Sequence, residues 1–126
     1  LSLIMFDIDW FKAVNDNYGH PAGGTVKRKI AAMLRNRIRT TDIAGRWGGE
    51  EFLIICPETG INGAGELAEQ IRADIATFDF SIGQSITISA GVTKYKAEEP
   101  VEQLIHRVDE CLYAAKHRGK NRVVAE

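Results

Sequence analysis

The order of apolar runs and helical stripes along this chain predicts an α+β fold, in which helices pack on a largely antiparallel sheet. Three observations support that prediction: an apolar strand at the start, a hairpin signal near the middle, and amphipathic helices between strands. The predicted order, β-α-α-β-β-α-β-α-β, is typical of ferredoxin-like or split βαβ folds. With 126 residues, 44% of them hydrophobic, the chain suits one core and is too short for two ordinary ones. We therefore expect a single domain over residues 1–126.

The first third of the chain predicts the centre of the sheet and two helices. Residues 1–8 form an apolar run that ends at Asp7, typical of a strand buried on both faces. A short helix is predicted over residues 11–18, and a longer one follows the break at Gly19-His20-Pro21 and continues to Ile38. One apolar stripe on the longer helix is expected to face the sheet, formed by Val26, Ile30, Met33, Leu34 and Ile38.

The middle of the chain predicts a β-hairpin. Residues 43–47 and 50–56 are strand-like and are joined by Gly48-Gly49, a pair that accepts the positive φ angles of a two-residue turn.

The remainder predicts two helices and two strands. An amphipathic helix runs from Ala64 to near Phe78, and a strand covers residues 86–92. A last helix begins after Glu98-Glu99-Pro100 and ends at Gly119, and Val123-Val124 forms a short edge strand.

Composition excludes several classes of protein. Sixteen basic against seventeen acidic residues give a net charge of -1, so the chain lacks the field of a general nucleic-acid or membrane-surface binder. No apolar run approaches the ~20 residues of a membrane helix, and no signal peptide is recognisable. Cys56 and Cys111 lie far apart in apolar surroundings, which favours reduced core thiols over a disulfide or zinc site. We expect part of a longer cytoplasmic protein.

Four carboxylates flank two predicted strand ends. Asp7 and Asp9 lie at the exit of the first strand, and Glu50 and Glu51 follow the glycine pair. If these strands pair, the side chains converge, and two like charges ~4 Å apart repel by roughly 4 kcal/mol at an effective dielectric near 20. A divalent cation removes that penalty, and hard oxygen ligands favour Mg²⁺ or Mn²⁺. The alternative is that the hairpin tip is merely a solvated turn.

Several spaced motifs together resemble one known family. They are Phe6-Asp7-Ile8-Asp9, Phe11-Lys12, Asn15-Asp16, Gly19-His20 and Arg46-Trp47-Gly48-Gly49-Glu50-Glu51-Phe52. In this order they resemble the GGDEF family of diguanylate cyclases, with the signature in the form GGEEF. The resemblance continues through residues 39–42 and 112–121, so it covers nearly the whole chain. It implies the palm-like sheet of nucleotidyl cyclases and polymerases, and it implies that the helical segment usually preceding the first strand is missing.

The resemblance also implies a reaction. Two GTP molecules condense to cyclic di-GMP with release of two pyrophosphates, each domain of a homodimer holding one GTP. Asp7, the Ile8 carbonyl and Glu50 match the family's metal ligands, with two Mg²⁺ or Mn²⁺ ions per active site. Glu50 also matches the acceptor of the 3′-hydroxyl proton, and Glu51 assists at the metals. An upstream sensory or regulatory domain is expected to drive the dimer.

The same resemblance implies contacts to the nucleotide phosphates. Phe11 and Lys12 match the turn that covers the triphosphate, where backbone amides and the Lys12 ammonium offset phosphate charge during catalysis. Lys116 and Lys120 match phosphate-binding positions near the C-terminus. The alternative for this pair is a solvated basic helix end, favoured by the helix dipole.

The nucleotide pocket is implied with one departure from the family pattern. Asn15 and His20 match pocket residues, Asn15 facing the guanine edge, and the Gly48-Gly49 pair lets the ligand approach the backbone. The family's usual Asp, a second guanine-reading group, is replaced by Gly24, and Lys27 stands where Leu is usual. Two alternatives therefore stay open: a catalytically weak module that senses GTP or cyclic di-GMP, and a cyclase with relaxed purine selectivity.

Arg39 and Asp42 form an RxxD pattern that resembles the family's product-inhibition site. A guanidinium binds phosphate or a guanine edge in a bidentate way, and a carboxylate accepts from guanine N1 and N2. Residues 27–46 contain seven basic residues and one acidic residue, a local field that favours an anionic dinucleotide. An ordinary surface ion pair is the alternative. Gln70 replaces an Arg that joins this site in some relatives, so we expect weaker product binding or a need for a partner chain.

Overall fold

A computed structural model describes all 126 residues, from Leu1 to Glu126. Five strands and four helices follow one another as predicted from the sequence. They are β1 (Ser2–Ile8), α1 (Phe11–Tyr18), α2 (His20–Arg37), β2 (Ile43–Arg46), β3 (Glu51–Cys56), α3 (Ile61–Thr77), β4 (Ile88–Lys94), α4 (Val101–His117) and β5 (Arg122–Ala125).

The strands form one sheet in the order β2-β3-β1-β4-β5. β1 pairs antiparallel with β3 on one side and with β4 on the other, while β5 lies parallel to β4 at the edge. All seven residues of β1 are buried, which is why its sequence is apolar without alternation. The predicted α+β fold with a mostly antiparallel sheet and a doubly buried first strand is confirmed.

The helices cover the two faces of the sheet unequally. Ile4 and Phe6 of β1 point to the face covered by α1, α2 and α3, where Phe6 stacks on Phe52 with ring centroids 4.9 Å apart. Leu3 and Met5 point to the other face and pack against α4. Alternate residues of one strand therefore fill two separate apolar layers, as the period of a strand requires.

The apolar stripe predicted for α2 packs against the hydrophobic core. Val26, Ile30 and Leu34 are buried, and Met33 and Ile38 are half-buried against the same core. This confirms the prediction that one face of the helix meets the sheet.

Some predicted element boundaries are shifted. α3 begins at Ile61 rather than at Ala64, because Gly60 caps it and the Ala64 N–H donates to the Gly60 carbonyl at 3.0 Å. β4 begins at Ile88, two residues after the predicted start, and extends to Lys94. Periodicity locates the apolar face of an element better than its ends, since ends depend on caps and pairing partners.

The hairpin exists, but its predicted two-residue turn is wrong. β2 and β3 are joined by a wider loop over residues 47–50, and neither Gly48 nor Gly49 has a positive φ. The Trp47 N–H closes the loop by donating to the Glu51 carbonyl at 2.8 Å. The Glu50 carbonyl at the end of the loop accepts from the Ile8 N–H at 3.3 Å, so the loop is also joined to the end of β1.

Both cysteines are buried and unbridged, as predicted. Burial raises the pKa of the Cys56 thiol to about 11, and burial with the nearby Glu126 carboxylate raises the pKa of Cys111 to about 12. No helix of the chain combines the length and the apolarity needed to cross a bilayer.

Candidate active site

The end of β1 brings together the two acidic stretches predicted to meet. Asp7 lies opposite Glu51 in the pairing of β1 with β3 and opposite Ser89 in the pairing with β4. One residue further, the Ile8 N–H donates to the Glu50 carbonyl at 3.3 Å. Stretches more than 40 positions apart in the chain thus meet at one rim, because the central strand pairs on both sides.

Asp7 is a buried carboxylate with a single cationic partner. The Lys116 ammonium donates to Asp7 Oδ2, whereas Oδ1 is buried and has no hydrogen-bond partner. Burial raises the pKa of Asp7 above its ordinary value, although the hydrogen bond from Lys116 lowers it. Burial raises the pKa of Glu51 as well, and the Asp7 charge adds to that increase. The rim is therefore a place where negative charge is costly unless a cation is near.

Lys116 responds to the same charges. Burial alone lowers the pKa of its ammonium, but the hydrogen bond to Asp7 and the charges of Glu51 and Glu50 together raise it above the ordinary value. The lysine therefore stays charged and offsets part of the acidic charge at the rim.

The oxygen donors at this rim fit a hard divalent cation. Asp7 Oδ1 is an unpaired acceptor, and the Ile8 carbonyl and Glu50 belong to the same corner. No three His, Cys, Asp or Glu side chains surround a common point, so a cation here would depend on a backbone carbonyl as well as carboxylates. Carboxylate and carbonyl oxygens are the donors that Mg²⁺ and Mn²⁺ prefer.

Asp9 corrects the prediction that all four carboxylates converge. The residue is 5% exposed, and its carboxylate accepts from Ser89 Oγ at 2.6 Å, from Thr87 Oγ1 at 2.8 Å and from the Asn121 N–H at 3.0 Å. The carboxylate is turned toward β4 and the segment after α4 because those donors satisfy both of its oxygens. Asp7, Glu50 and Glu51 remain the acidic groups of the rim.

The start of α1 lies beside this rim. Trp10 caps the helix in a left-handed conformation with φ 59°, no side chain accepts from the first-turn amides, and no acidic residue lies in the first turn. Phe11 is buried, whereas Lys12 is exposed. The Lys120 ammonium lies 4.7 Å from the centroid of the Trp10 ring. Free amides and cationic side chains thus share one place, an arrangement suited to binding an anion.

Asn15 lies where α1 meets α2. Its Oδ1 is buried without a hydrogen-bond partner, and a Cβ on Gly23 would come within 2.0 Å of it. Gly23 therefore makes room for the amide, whose unpaired acceptor suits the N–H donors of a base edge. His20 is exposed at the first position of α2.

Gly24 and Lys27, the two departures from the family pattern in α2, change the local charge. The Lys27 ammonium lies 4.9 Å from the Phe11 ring centroid. A Cβ added to Gly24 would lie 3.3 Å from Arg28 Nη1. Two cationic groups thus lie close by, Lys27 over Phe11 and Arg28 beside Gly24, the position where the family pattern has a carboxylate.

Arg39 and Asp42 lie away from the rim, in the connection between α2 and β2. The alternative of an ordinary surface ion pair between them is wrong, because the Arg39 backbone N–H, not its guanidinium, donates to Asp42 Oδ2 at 3.0 Å. Asp42 Oδ1 is buried without a hydrogen-bond partner. Both residues line a cavity of about 190 Å³, and Gln70 lines it too, while Arg37 at its margin is bound to Asp74 at 2.6 Å.

Some residues around the rim were not found from the sequence. Trp10, Thr87 and Ser89 cap or anchor neighbouring segments and belong to no motif singled out in the sequence. Asn121, which also anchors, lies in a recognised motif, but its contact with Asp9 was not predicted. Their roles depend on contacts between distant parts of the chain. The only local signal was the Gly119-Lys120-Asn121 run after the last helical turn.

A five-stranded, mostly antiparallel sheet with acidic groups at the end of its central strand defines the class, the palm fold of nucleotidyl cyclases. The model of the family described as "Diguanylate cyclase, GGDEF domain" matches residues 1–122. The chain belongs to this GGDEF domain family.

Two curated relatives give the scale of the similarity. Diguanylate cyclase DgcM of Escherichia coli K12 is 42% identical over 124 residues, which is 98% of this chain and 30% of that protein. Diguanylate cyclase DgcP of Pseudomonas aeruginosa is 43% identical over 126 residues, covering 98% of this chain and 19% of the relative. The chain thus spans a third or less of the length of these two relatives.

Three solved structures share the fold. Diguanylate cyclase SiaD of Pseudomonas aeruginosa, in complex with its activator SiaC, has a TM-score of 0.94 and 38% identity over 99% of this chain and 49% of SiaD. The active GGEEF domain of a Vibrio cholerae diguanylate cyclase has a TM-score of 0.92 and 36% identity over 98% and 81% of the two chains. The GGDEF domain of DgcB from Caulobacter crescentus, in complex with c-di-GMP, has a TM-score of 0.92 and 34% identity over 98% and 76%.

Proposed function

We propose that this domain condenses two GTP molecules into cyclic di-GMP and two pyrophosphates. The observation that carries the proposal is the meeting of Asp7 with the Glu50-Glu51 pair at the end of the central strand, with one buried carboxylate oxygen of Asp7 left unpaired. The Vibrio cholerae relative supports it, because an active domain there has the same GGEEF form of the signature.

The reaction assigns a role to each group at the rim. The 3′-hydroxyl oxygen of each ribose attacks the α-phosphorus of the other GTP. In each of the two attacks the bond from the α-phosphorus to the pyrophosphate oxygen breaks, and the hydroxyl proton passes to Glu50 of one domain. Asp7, the Ile8 carbonyl and Glu50 would hold Mg²⁺ or Mn²⁺, with Glu51 assisting. Two such ions, when bound, supply charge neutralisation and lower the pKa of the attacking hydroxyl.

The cationic side chains near the rim are proposed to bind the phosphates of GTP. Lys12, Lys116 and Lys120, with the unpaired amides at the start of α1, bind the phosphates and offset the charge of the triphosphate. Asn15 and His20 hold the base, and the open space over Gly49 admits the nucleotide to the hairpin tip.

A dimer follows from the product. Cyclic di-GMP is two-fold symmetric and each domain holds one GTP, so two active sites must face each other. The complex of SiaD with an activator supports control by a regulatory domain or partner.

Product feedback is proposed at Arg39 and Asp42. The DgcB domain was solved with c-di-GMP, and the cavity beside Arg39 and Asp42 offers a guanidinium and an unpaired carboxylate oxygen. Gln70 in the cavity wall predicts weaker inhibition than an arginine would give.

A second candidate is a cyclase with relaxed purine choice. Gly24 lacks a carboxylate that would accept from guanine N1 and N2, and the neighbouring groups, Lys27 and Arg28, are cationic. Assays with ATP and GTP together would yield mixed cyclic dinucleotides under this candidate, and Gly24→Asp would restore the preference for GTP.

The main proposal is tested with the chain joined to a dimerising coiled coil. Incubation with GTP and Mg²⁺ should yield cyclic di-GMP and pyrophosphate, and Glu50→Gln should abolish both. A folded dimer that binds GTP or cyclic di-GMP but releases no pyrophosphate would instead identify a sensor module and defeat the catalytic proposal.

A further inference from the structure

Asp9 is a buried carboxylate that the proposed chemistry leaves without a task. Ser89 Oγ donates to its Oδ1 at 2.6 Å, and Thr87 Oγ1 and the Asn121 N–H donate to its Oδ2 at 2.8 Å and 3.0 Å. Hydrogen bonds to an ionised acceptor are stronger than neutral ones, so three of them fix the side chain firmly. Asp9 thereby links the end of β1, β4 and the segment after α4.

That segment has a backbone that needs support. Gly119, Lys120 and Asn121 follow one another with φ of 119°, 64° and 47°. Gly119 is the usual helix-ending glycine, because the Lys120 N–H returns to the Ala115 carbonyl at 3.0 Å. Lys120 itself has no such chemical preference, since a side chain with a Cβ disfavours the left-handed region. Besides that hydrogen bond, contacts to the next residue, Asn121, support the left-handed backbone of Lys120.

Asn121 supplies those contacts from two sides. Its backbone N–H is bound by Asp9, and its side-chain Oδ1 accepts from Arg72 Nη1 at 2.8 Å. Arg72 is itself fixed by Glu69, with a contact of 2.5 Å from its Nη2. The loop of residues 119–121 is therefore clamped between β1 and α3.

The clamp sets where Lys120 lies. The Lys120 ammonium is 4.7 Å from the centroid of the Trp10 ring, and Trp10 directly follows Asp9 and caps α1. The Asp9 backbone is fixed too, since its N–H donates to the Thr87 carbonyl at 2.9 Å. One residue thus holds the entry to α1 through its backbone and the Lys120 loop through its carboxylate.

We propose that Asp9 is a positioning residue that aligns Lys120 with the free amides of α1 for binding the phosphates of the nucleotide. It touches neither substrate nor cation and acts through the loop of residues 119–121. The naming of the ligand as a nucleoside triphosphate rests on the proposed function.

The first test measures binding of a non-hydrolysable GTP analogue with Mg²⁺ by calorimetry, which does not require turnover. Asp9→Asn removes the negative charge and replaces one acceptor oxygen by an amide donor, so the hydrogen bonds to Thr87, Ser89 and the Asn121 N–H lose their charge assistance and affinity should fall about tenfold. Asp79→Asn is the matched control, because Asp79 is exposed and accepts only from the Ser81 N–H. Its affinity should equal that of the parent.

A double-mutant cycle separates positioning from general structural damage. Lys120→Met removes the group that Asp9 is proposed to align, so Asp9→Asn should cost little further affinity in that background. In the dimerised chain, Asp9→Asn should raise KM for GTP while kcat changes by less than about threefold. Additive losses, or a parental affinity in folded Asp9→Asn protein, would overturn the inference.

Thr87→Val answers the case in which Asp9→Asn does not fold. It removes one donor and keeps the carboxylate, and it should weaken binding in the same direction by a smaller factor that again disappears with Lys120→Met. If the parent fails to bind the analogue at all, the proposed function fails. If the parent binds and both Asp9→Asn and Thr87→Val bind equally well, only the positioning role fails.

Discussion

At the scale of single residues, the rim of the sheet is organised around one buried carboxylate. Asp7 pairs with Lys116 through one oxygen and leaves the other unpaired, while burial raises the pKa of the carboxyl. The lysine therefore has a structural role in the protein without nucleotide, in addition to the phosphate contact proposed for it.

Lys116→Met tests that structural role. It leaves Asp7 buried without its cation, so the free energy of unfolding should fall by about 1–3 kcal/mol in urea denaturation without nucleotide. Lys120→Met is the matched control, because Lys120 contacts the Trp10 ring and no carboxylate. Its loss should stay below about 1 kcal/mol. Equal losses for both variants would show that Asp7 does not depend on Lys116.

Gly49 allows a test of the hairpin tip. A Cβ there meets no protein atom within 4 Å and the residue has no positive φ, so Gly49→Ala should fold with parental stability. If a nucleotide approaches this backbone, the added methyl group should weaken binding of the GTP analogue by roughly tenfold. Gly45→Ala in β2 is the control, since it is equally open but lies away from the tip. Parental binding by Gly49→Ala would exclude a close approach.

At the scale of elements, the packing of α4 on β4 depends on one glycine. A Cβ on Gly91 would lie 2.5 Å from the Leu112 nitrogen and 2.5 Å from the Val108 carbonyl oxygen, both backbone atoms of α4. The helix could relieve such contacts only by moving as a whole. Since α4 also carries Lys116, its distance from the sheet bears on the charge balance of the rim.

Gly91→Ala should therefore lower the free energy of unfolding by about 1–3 kcal/mol or more. Gly65→Ala serves as the counterpart, because its Cβ would meet only Ala125 Cβ at 4.0 Å and it lies within α3. That variant should gain about 0.5–1 kcal/mol from helix propensity. Urea denaturation of both variants checks the contrast, which would be contradicted by a neutral Gly91→Ala.

At the scale of the whole molecule, two buried thiols couple stability to alkaline pH. The pKa of Cys56 is raised from 9.0 to about 11 and that of Cys111 from 9.0 to about 12, in both cases mainly by burial. In the unfolded chain the thiols ionise near their ordinary pKa, whereas in the folded chain they stay protonated. Their contribution to stability is therefore full below pH 9.0 and is lost progressively as the pH rises toward 11 and 12.

Unfolding free energies at pH 8 and pH 10.5, measured for the parent and for Cys56→Ala with Cys111→Ala, isolate this contribution. The double variant should be less stable at pH 8, because two small cavities form. Its further loss between the two pH values should be smaller than that of the parent. Parallel pH profiles would mean that the thiols ionise equally in the folded and unfolded states.

Much of the architecture was predictable because it rests on local patterns. The continuous apolar run of β1 requires burial on both faces, and the stripe of α2 requires one packed face, whatever the rest of the chain does. The family motifs likewise singled out Asp7, Lys116 and the hairpin as candidate site residues, and the structure places Lys116 and the hairpin strand beside Asp7. Their individual roles in binding and catalysis stay predictions, as do the single-domain boundaries.

Other features depend on contacts between segments that lie far apart in the chain. Asp9 is 112 positions from the Asn121 N–H that it binds. No local sequence pattern therefore distinguishes the hydrogen bonding of Asp9 from that of Asp7, two residues away. The loop at Gly48-Gly49 is joined to β1 through the Glu50 carbonyl, and the close approach of the α4 backbone leaves no room for a Cβ at Gly91. Local residue preferences therefore dictated which segments become strands and helices, and where charge accumulates. Only the tertiary structure decided that Asp7 keeps an unpaired oxygen while both oxygens of Asp9 accept hydrogen bonds. The reason is that hydrogen-bond partners become neighbours only when distant strands and helices meet.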